Sequence, residues 1–140
     1  MKKIFTLIAC VIVFAFIGVV IAQEQQSAQK KESTETFGQK EFEAFHSILR
    51  PLQHKALPAG NFKLIREKSS ALIEKGEAIV KLGPPQGIEK LKEYEKALEN
   101  FSSALSALAK DSKSAKDPEL KKSFSKVHDL YEKLMNMLPD

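Results

Sequence analysis

The run DPELKKSFSKVHDLYEKLMNML, residues 117 to 138, decides the fold. Its large apolar residues Leu120, Phe124, Val127, Tyr131, Leu134 and Leu138 follow one another at steps of 4, 3, 4, 3 and 4. That seven-residue repeat places all six on one side of a helix. Asp117 stands at an N-cap position and Pro118 at the first helical position. Glu119 lies in the first turn, where exposed amide dipoles favour an acid. A helix with one apolar stripe must bury it against other elements, so the rest of the chain has to supply matching stripes.

It does so three times. Upstream, Ile88, Leu91, Leu98, Phe101, Leu105 and Leu108 share one side of a helix expected over 88–109, with Tyr94 and Glu95 between Leu91 and Leu98. Its outer face carries Glu89, Lys92, Glu93, Lys96 and Glu99, spaced for weak surface ion pairs. Gly83-Pro84-Pro85-Gln86-Gly87 breaks the chain before it. Another helix is expected over 62–82, with Asn61 as N-cap and Ile65, Leu72 and Ile79 on its buried face. Gly76 inside it costs about 1 kcal/mol relative to Ala, and either permits close helix contact or is tolerated. The first helix runs from Gln39 or Lys40 to Lys55 with Phe42, Phe45, Leu49 and Leu52 as its stripe. Pro51 lacks a backbone N–H and clashes with the Ser47 carbonyl, which predicts a kink or an end near Arg50. Residues 111–116 read as a polar loop. Four amphipathic helices with short breaks and no credible strand make an all-α protein, an antiparallel four-helix bundle following an N-terminal signal segment. A more open hairpin that dimerises through its stripe is the competing architecture.

The domain plan is a signal segment over 1–22, a disordered linker over 23–39 and the bundle over 40–140. Met1-Lys2-Lys3 precedes a run from Ile4 to Ala22 with no charge over 19 residues, the pattern of an export signal. Val20-Ile21-Ala22 is a loose cleavage site. Uncut, the same run has the length of a membrane anchor, since roughly 20 apolar residues span a bilayer. Residues 23–39 are polar apart from Phe37 and have little to bury. These features point to a periplasmic or secreted protein.

Cys10 is the only cysteine and lies in the apolar run. Leu7-Ile8-Ala9-Cys10 matches a lipoprotein signal on paper, but a long apolar stretch would remain after that cut. Without the leader the chain has no thiol, which excludes disulfides, cysteine nucleophiles, thiolate metal sites and covalent haem attachment. About 118 residues then remain, enough for one domain. Their charge is nearly balanced, 20 basic against 18 acidic. That balance, with Lys outnumbering Arg 20 to 2 over the full chain, argues against a dedicated nucleic-acid binder. Membrane contact is expected only through an uncut N-terminal segment; a homodimer fits the stripes, and no protein partner is specified.

The chemistry-bearing side chains are three histidines. His46 lies about 40° from Phe42 around the helix, on the flank of the core stripe. His128 is one step after Val127 and four after Phe124, in the same relation to its own stripe. First and last helices are neighbours in an up-down bundle, so these two rings are expected to approach each other. On a straight helix His54 stands about 12 Å along the axis from His46, and it joins them only if the chain bends at Pro51. The expected site is therefore a divalent transition metal (copper, zinc or nickel) held by His46, His54 and His128, with Glu132 or Met135 as a further ligand and Glu43 a weaker one. The alternative is that all three histidines only hydrogen-bond to neighbours or water. No hydrolytic or phosphate-binding constellation stands out, and no enzyme is expected.

Two resemblances bear on this site. Phe124-Ser-Lys-Val-His128-Asp-Leu-Tyr131 resembles the haem-binding helix of the cytochrome c-prime and b562-like bundles, with Phe124 and Val127 where the c-type members carry cysteines. That resemblance implies non-covalent haem at most, with His128 as one axial ligand and His46 as the second. His54-Lys-Ala-Leu-Pro58 is similar to the turn of the periplasmic heavy-metal sensor and resistance proteins, although Arg50 stands where their upstream histidine falls. That similarity implies metal ligation by His54 and His128. A periplasmic interaction or chaperone-like module without a cofactor is the alternative from another class.

Overall fold

The computed structural model describes residues 37–139; the expected signal segment and most of the expected linker lie outside them. The described residues form four α-helices, α1 (Gln39–Pro51), α2 (Phe62–Leu82), α3 (Leu91–Ser114) and α4 (Asp117–Met135), and no strand occurs among them. Consecutive helices pack side by side in alternating directions. The start of α2 meets the end of α3 through Arg66 and Asp111, and the start of α1 meets the end of α2 where Gly38 approaches Leu82. The all-α bundle expected from the stripes is the observed architecture.

The stripes are the core. Phe42, Phe45 and Leu49 of α1, Ile65, Leu72 and Ile79 of α2, Phe101, Leu105 and Leu108 of α3, and Leu120, Phe124, Val127, Tyr131 and Leu134 of α4 are all buried. The second helix begins and ends where expected, and Asn61 Oδ1 accepts from the Leu64 N–H at 3.1 Å as its cap.

Three boundaries add to or differ from expectation. The first α-helix ends at Pro51, close to the end expected near Arg50. The chain continues through a π-helical turn, Leu52–Ala56, in which the Leu57 N–H donates to the Leu52 carbonyl at 2.8 Å. Leu52 and Ala56, at the two ends of this turn, are both in the core. The third helix starts at Leu91, which is 44% exposed, and Ile88 packs on the core from the preceding turn. Tyr94 takes the buried seam position and Glu95 is exposed. This helix also absorbs the expected loop as far as Ser114.

Arg66 explains the tight corner that follows. Its guanidinium donates to the carbonyls of Asp111 (3.2 Å), Ser112 (3.3 Å) and Ala115 (2.9 Å) and to Asp117 Oδ1 at 2.8 Å. It thereby satisfies the Ser112 and Ala115 carbonyls beyond the last helical bonds of α3 and shares the Asp111 carbonyl with the Ala115 N–H. Asp117 consequently pairs with Arg66 across the corner, and the cap position falls on Lys116 with no side-chain cap bond.

Gly76 is buried where α2 meets both neighbours. A Cβ there would stand 2.7 Å from both δ-carbons of Leu105 and 3.2 Å from Phe45 Cε2. Gly76→Ala is therefore expected to lose about 1–3 kcal/mol by overpacking, although helix propensity alone would make it gain about 1 kcal/mol. Urea denaturation of both proteins reads the sign.

Candidate functional site

The seam between α1 and α4 gathers the aromatic and imidazole rings. Tyr131 of α4 meets three rings of α1: Phe45 at 4.8 Å between centroids, and Phe42 and His46 at 6.0 Å each. Its hydroxyl donates to the Phe42 carbonyl at 3.2 Å. Burial, with a smaller contribution from the Glu132 carboxylate, pushes the Tyr131 phenol up to about 12. Beyond this ring the seam opens into a cleft of about 310 Å³, lined mainly by Phe37, Phe42, His46, Tyr131, Met135 and Leu138. Met135 is 41% exposed there, one of two large apolar side chains so exposed among the described residues. Phe37, assigned to the linker from its polar surroundings, lines this cleft and is half-buried.

The three histidines do not form one metal-holding group among the described residues. His46 is exposed and its ring lies within 10° of parallel to Tyr131. His128 is half-buried on the flank of α4 that carries Met135 seven residues later, with Nδ1 3.4 Å from Asp129 Oδ1 and Nε2 3.7 Å from Glu132 Oε1. His54 sits apart on the π turn, exposed, beside Arg50 and Lys55 in an open hollow of about 410 Å³. Among the described residues no group of three or more His, Cys, Asp or Glu side chains is placed to hold one metal ion. The three-histidine arrangement needed the chain to bend back after Pro51, and the π turn carries it onward. Of the further ligands considered, Glu132 lies against His128, whereas Met135 and Glu43 lie in the cleft with His46.

The serines act on the backbone: Ser69 Oγ donates to the Ile65 carbonyl at 2.7 Å and Ser123 Oγ to the Leu120 carbonyl at 3.1 Å. Tyr94 is fully buried on α3, its hydroxyl without a hydrogen-bond partner, and burial raises its pKa. Arg66 went unrecognised as an organising residue. The signal available was its rarity, since an arginine among so many lysines marks a place where a planar, multi-donor group is needed.

The fold defines an all-α four-helix bundle. No family model matches the chain, and no curated protein or solved structure matches it either. The resemblances to the haem bundles and to the heavy-metal proteins thus rest on residues 124–131 and 54–58 alone.

Tyr131→Phe removes the bond to Phe42 and is expected to lower stability by about 1 kcal/mol at neutral pH. It also changes the alkaline limb. A phenol whose folded pKa lies above its unfolded value of about 10 contributes stability that is present below pH 10 and lost as pH rises towards 12. The variant should lose less stability across that window, which denaturation series at pH 8, 10 and 11.5 would read.

Proposed function

We propose that this chain is an exported helical binding module whose α1–α4 cleft receives apolar side chains from an amphipathic helix of a protein partner. The observation that carries it is the cleft itself. Phe37, Met135 and Leu138 present apolar surface over the buried rings of Phe42 and Tyr131, between two helices whose stripes are otherwise buried, and Gln39, Glu43 and His46 add a polar lining. An amphipathic helix matches such a groove with an apolar stripe and polar flanks. Export rests on the charged opening and apolar run of residues 1–22. A photoreactive residue at Met135 in the native host is expected to give one discrete adduct, and one at Lys96, on the outer face of α3, none. The same products from both positions would remove the cleft from the reading.

A second reading has its own observation. His128 is half-buried with the Glu132 carboxylate 3.7 Å from Nε2, and His46 lines the cleft further along the same flank. An imidazole and a carboxylate one turn apart suit a divalent transition ion such as zinc, copper or nickel. In this reading His54 is outside the site. Elemental analysis and titration of protein purified without chelators or a histidine tag should then show that His128→Ala weakens binding at least tenfold while His54→Ala leaves it unchanged. Equal affinity for the parent and His128→Ala ends the metal reading; a Soret band in the same sample would turn it to haem.

A further inference from the structure

The near-balance of charge along the chain conceals a separation in space. The alternating helices bring residues 48–71 and 103–126 to one half of the bundle, the half that holds the π turn and the α3–α4 corner joined by Arg66. Those two segments contain eleven Lys and Arg against four Asp and Glu, a formal net of +7. The other described segments, 37–47, 72–102 and 127–139, contain seven against ten, a net of −3. At the basic end Arg50, Lys55, Lys110, Lys113, Lys116 and Lys122 are all exposed.

We infer that this end of the bundle is a docking face for an anionic lipid surface. The sign and extent of the patch call for an anionic partner, and three features select lipid headgroups. First, nine of its eleven cations are lysines, and of its two arginines Arg66 is engaged with the fold; compact, solvated ammonium groups suit a diffuse layer of headgroups better than the bidentate grip typical of nucleic-acid phosphates. Second, the same end carries an uncharged tip, Leu57-Pro58-Ala59-Gly60, of which Pro58, Ala59 and Gly60 are exposed; a small apolar tip flanked by cations suits a headgroup layer. Third, Gly38, the N-cap of α1, lies at the opposite end of the bundle beside Leu82, the last residue of α2. The contact is independent of the cleft and of any ion at His128.

The test places the reporter on the tip, so that insertion of the apolar leader does not register. Full-length protein carrying Cys10→Ser and Ala59→Cys is labelled at position 59 with an environment-sensitive fluorophore. It is mixed with phosphatidylcholine vesicles or with vesicles containing 30% phosphatidylglycerol. Docking is expected as a blue shift on the anionic vesicles alone, lost in 0.5 M salt, where charges are screened over a few ångströms. Adding Lys113→Ala, Lys116→Ala and Lys122→Ala should cut the docked fraction at least tenfold, each lysine contributing roughly fivefold. Lys92→Ala with Lys96→Ala, on the other half, should leave it unchanged. No shift on anionic vesicles, equal shifts on both vesicle types, or equal losses from the two lysine sets would overturn the inference. So would tighter binding of duplex DNA than of anionic vesicles at the same salt. Far-ultraviolet circular dichroism confirms that every variant is folded before it is scored.

Discussion

Phe45 is pressed edge-on against Phe101, with centroids 5.5 Å apart and planes at 74°, and lies against Tyr131 at 4.8 Å. Room for that contact exists because α2 carries no side chain at Gly76, the point where Phe45 and Leu105 come closest to it. Three helices meet at one ring and the fourth yields space to it. Aromatic pairs in such offset and edge-on arrangements contribute about 0.5–1.5 kcal/mol beyond the area they bury. They also set register, because shifting α1 by one turn along its neighbours would take Phe45 away from Gly76. Tyr131 extends the arrangement to α4, and its bond to the Phe42 carbonyl ties the last helix to the first.

Two polar devices finish what the apolar stripes begin. Arg66 holds the α3–α4 corner by satisfying three carbonyls and a carboxylate at once, a task that a lysine, with its single nitrogen, does not reproduce. The π turn lets the chain pass Pro51 without surrendering Leu52 or Ala56 to solvent. Each device also shapes the surface. The turn puts His54 outside beside Arg50, and the corner places Lys113 and Lys116 at the same end of the bundle. The molecule thus offers an aromatic cleft along one seam and a basic face at one end.

Most of the fold was legible because apolar periodicity reports burial directly. The α4 repeat, the Asn61 cap and the Gly-Pro-Pro break located elements whose cause is local. The candidate site was legible in part. The flanks carrying His46 and His128 follow from angular position on a helix, and His128 is half-buried, as a flank position implies. The place of His54 was left conditional by the sequence, because the response of a helix to an internal proline depends on the packing around it. A kink and a π turn both fit a helix that meets a proline, and the core positions of Leu52 and Ala56 accompany the second. Leu91 and Tyr94 exchanged roles for a similar reason: both fit an apolar stripe, and the path of residues 83–90 sets which of them reaches the core.

The sequence by itself determined helices, their buried faces and the number of layers they can form, since each follows from the spacing of residues a few positions apart. Tertiary structure decided what depends on distant residues meeting: that Gly76 is a contact point, that Arg66 spans to Asp117, that Tyr131 lies beneath His46, and that one end of the bundle is basic. Charge shows the reason most plainly. Along the chain the basic and acidic residues nearly cancel; reversing the direction of alternate helices superposes the cation-rich segments 48–71 and 103–126, and a balanced sequence becomes a polarised object.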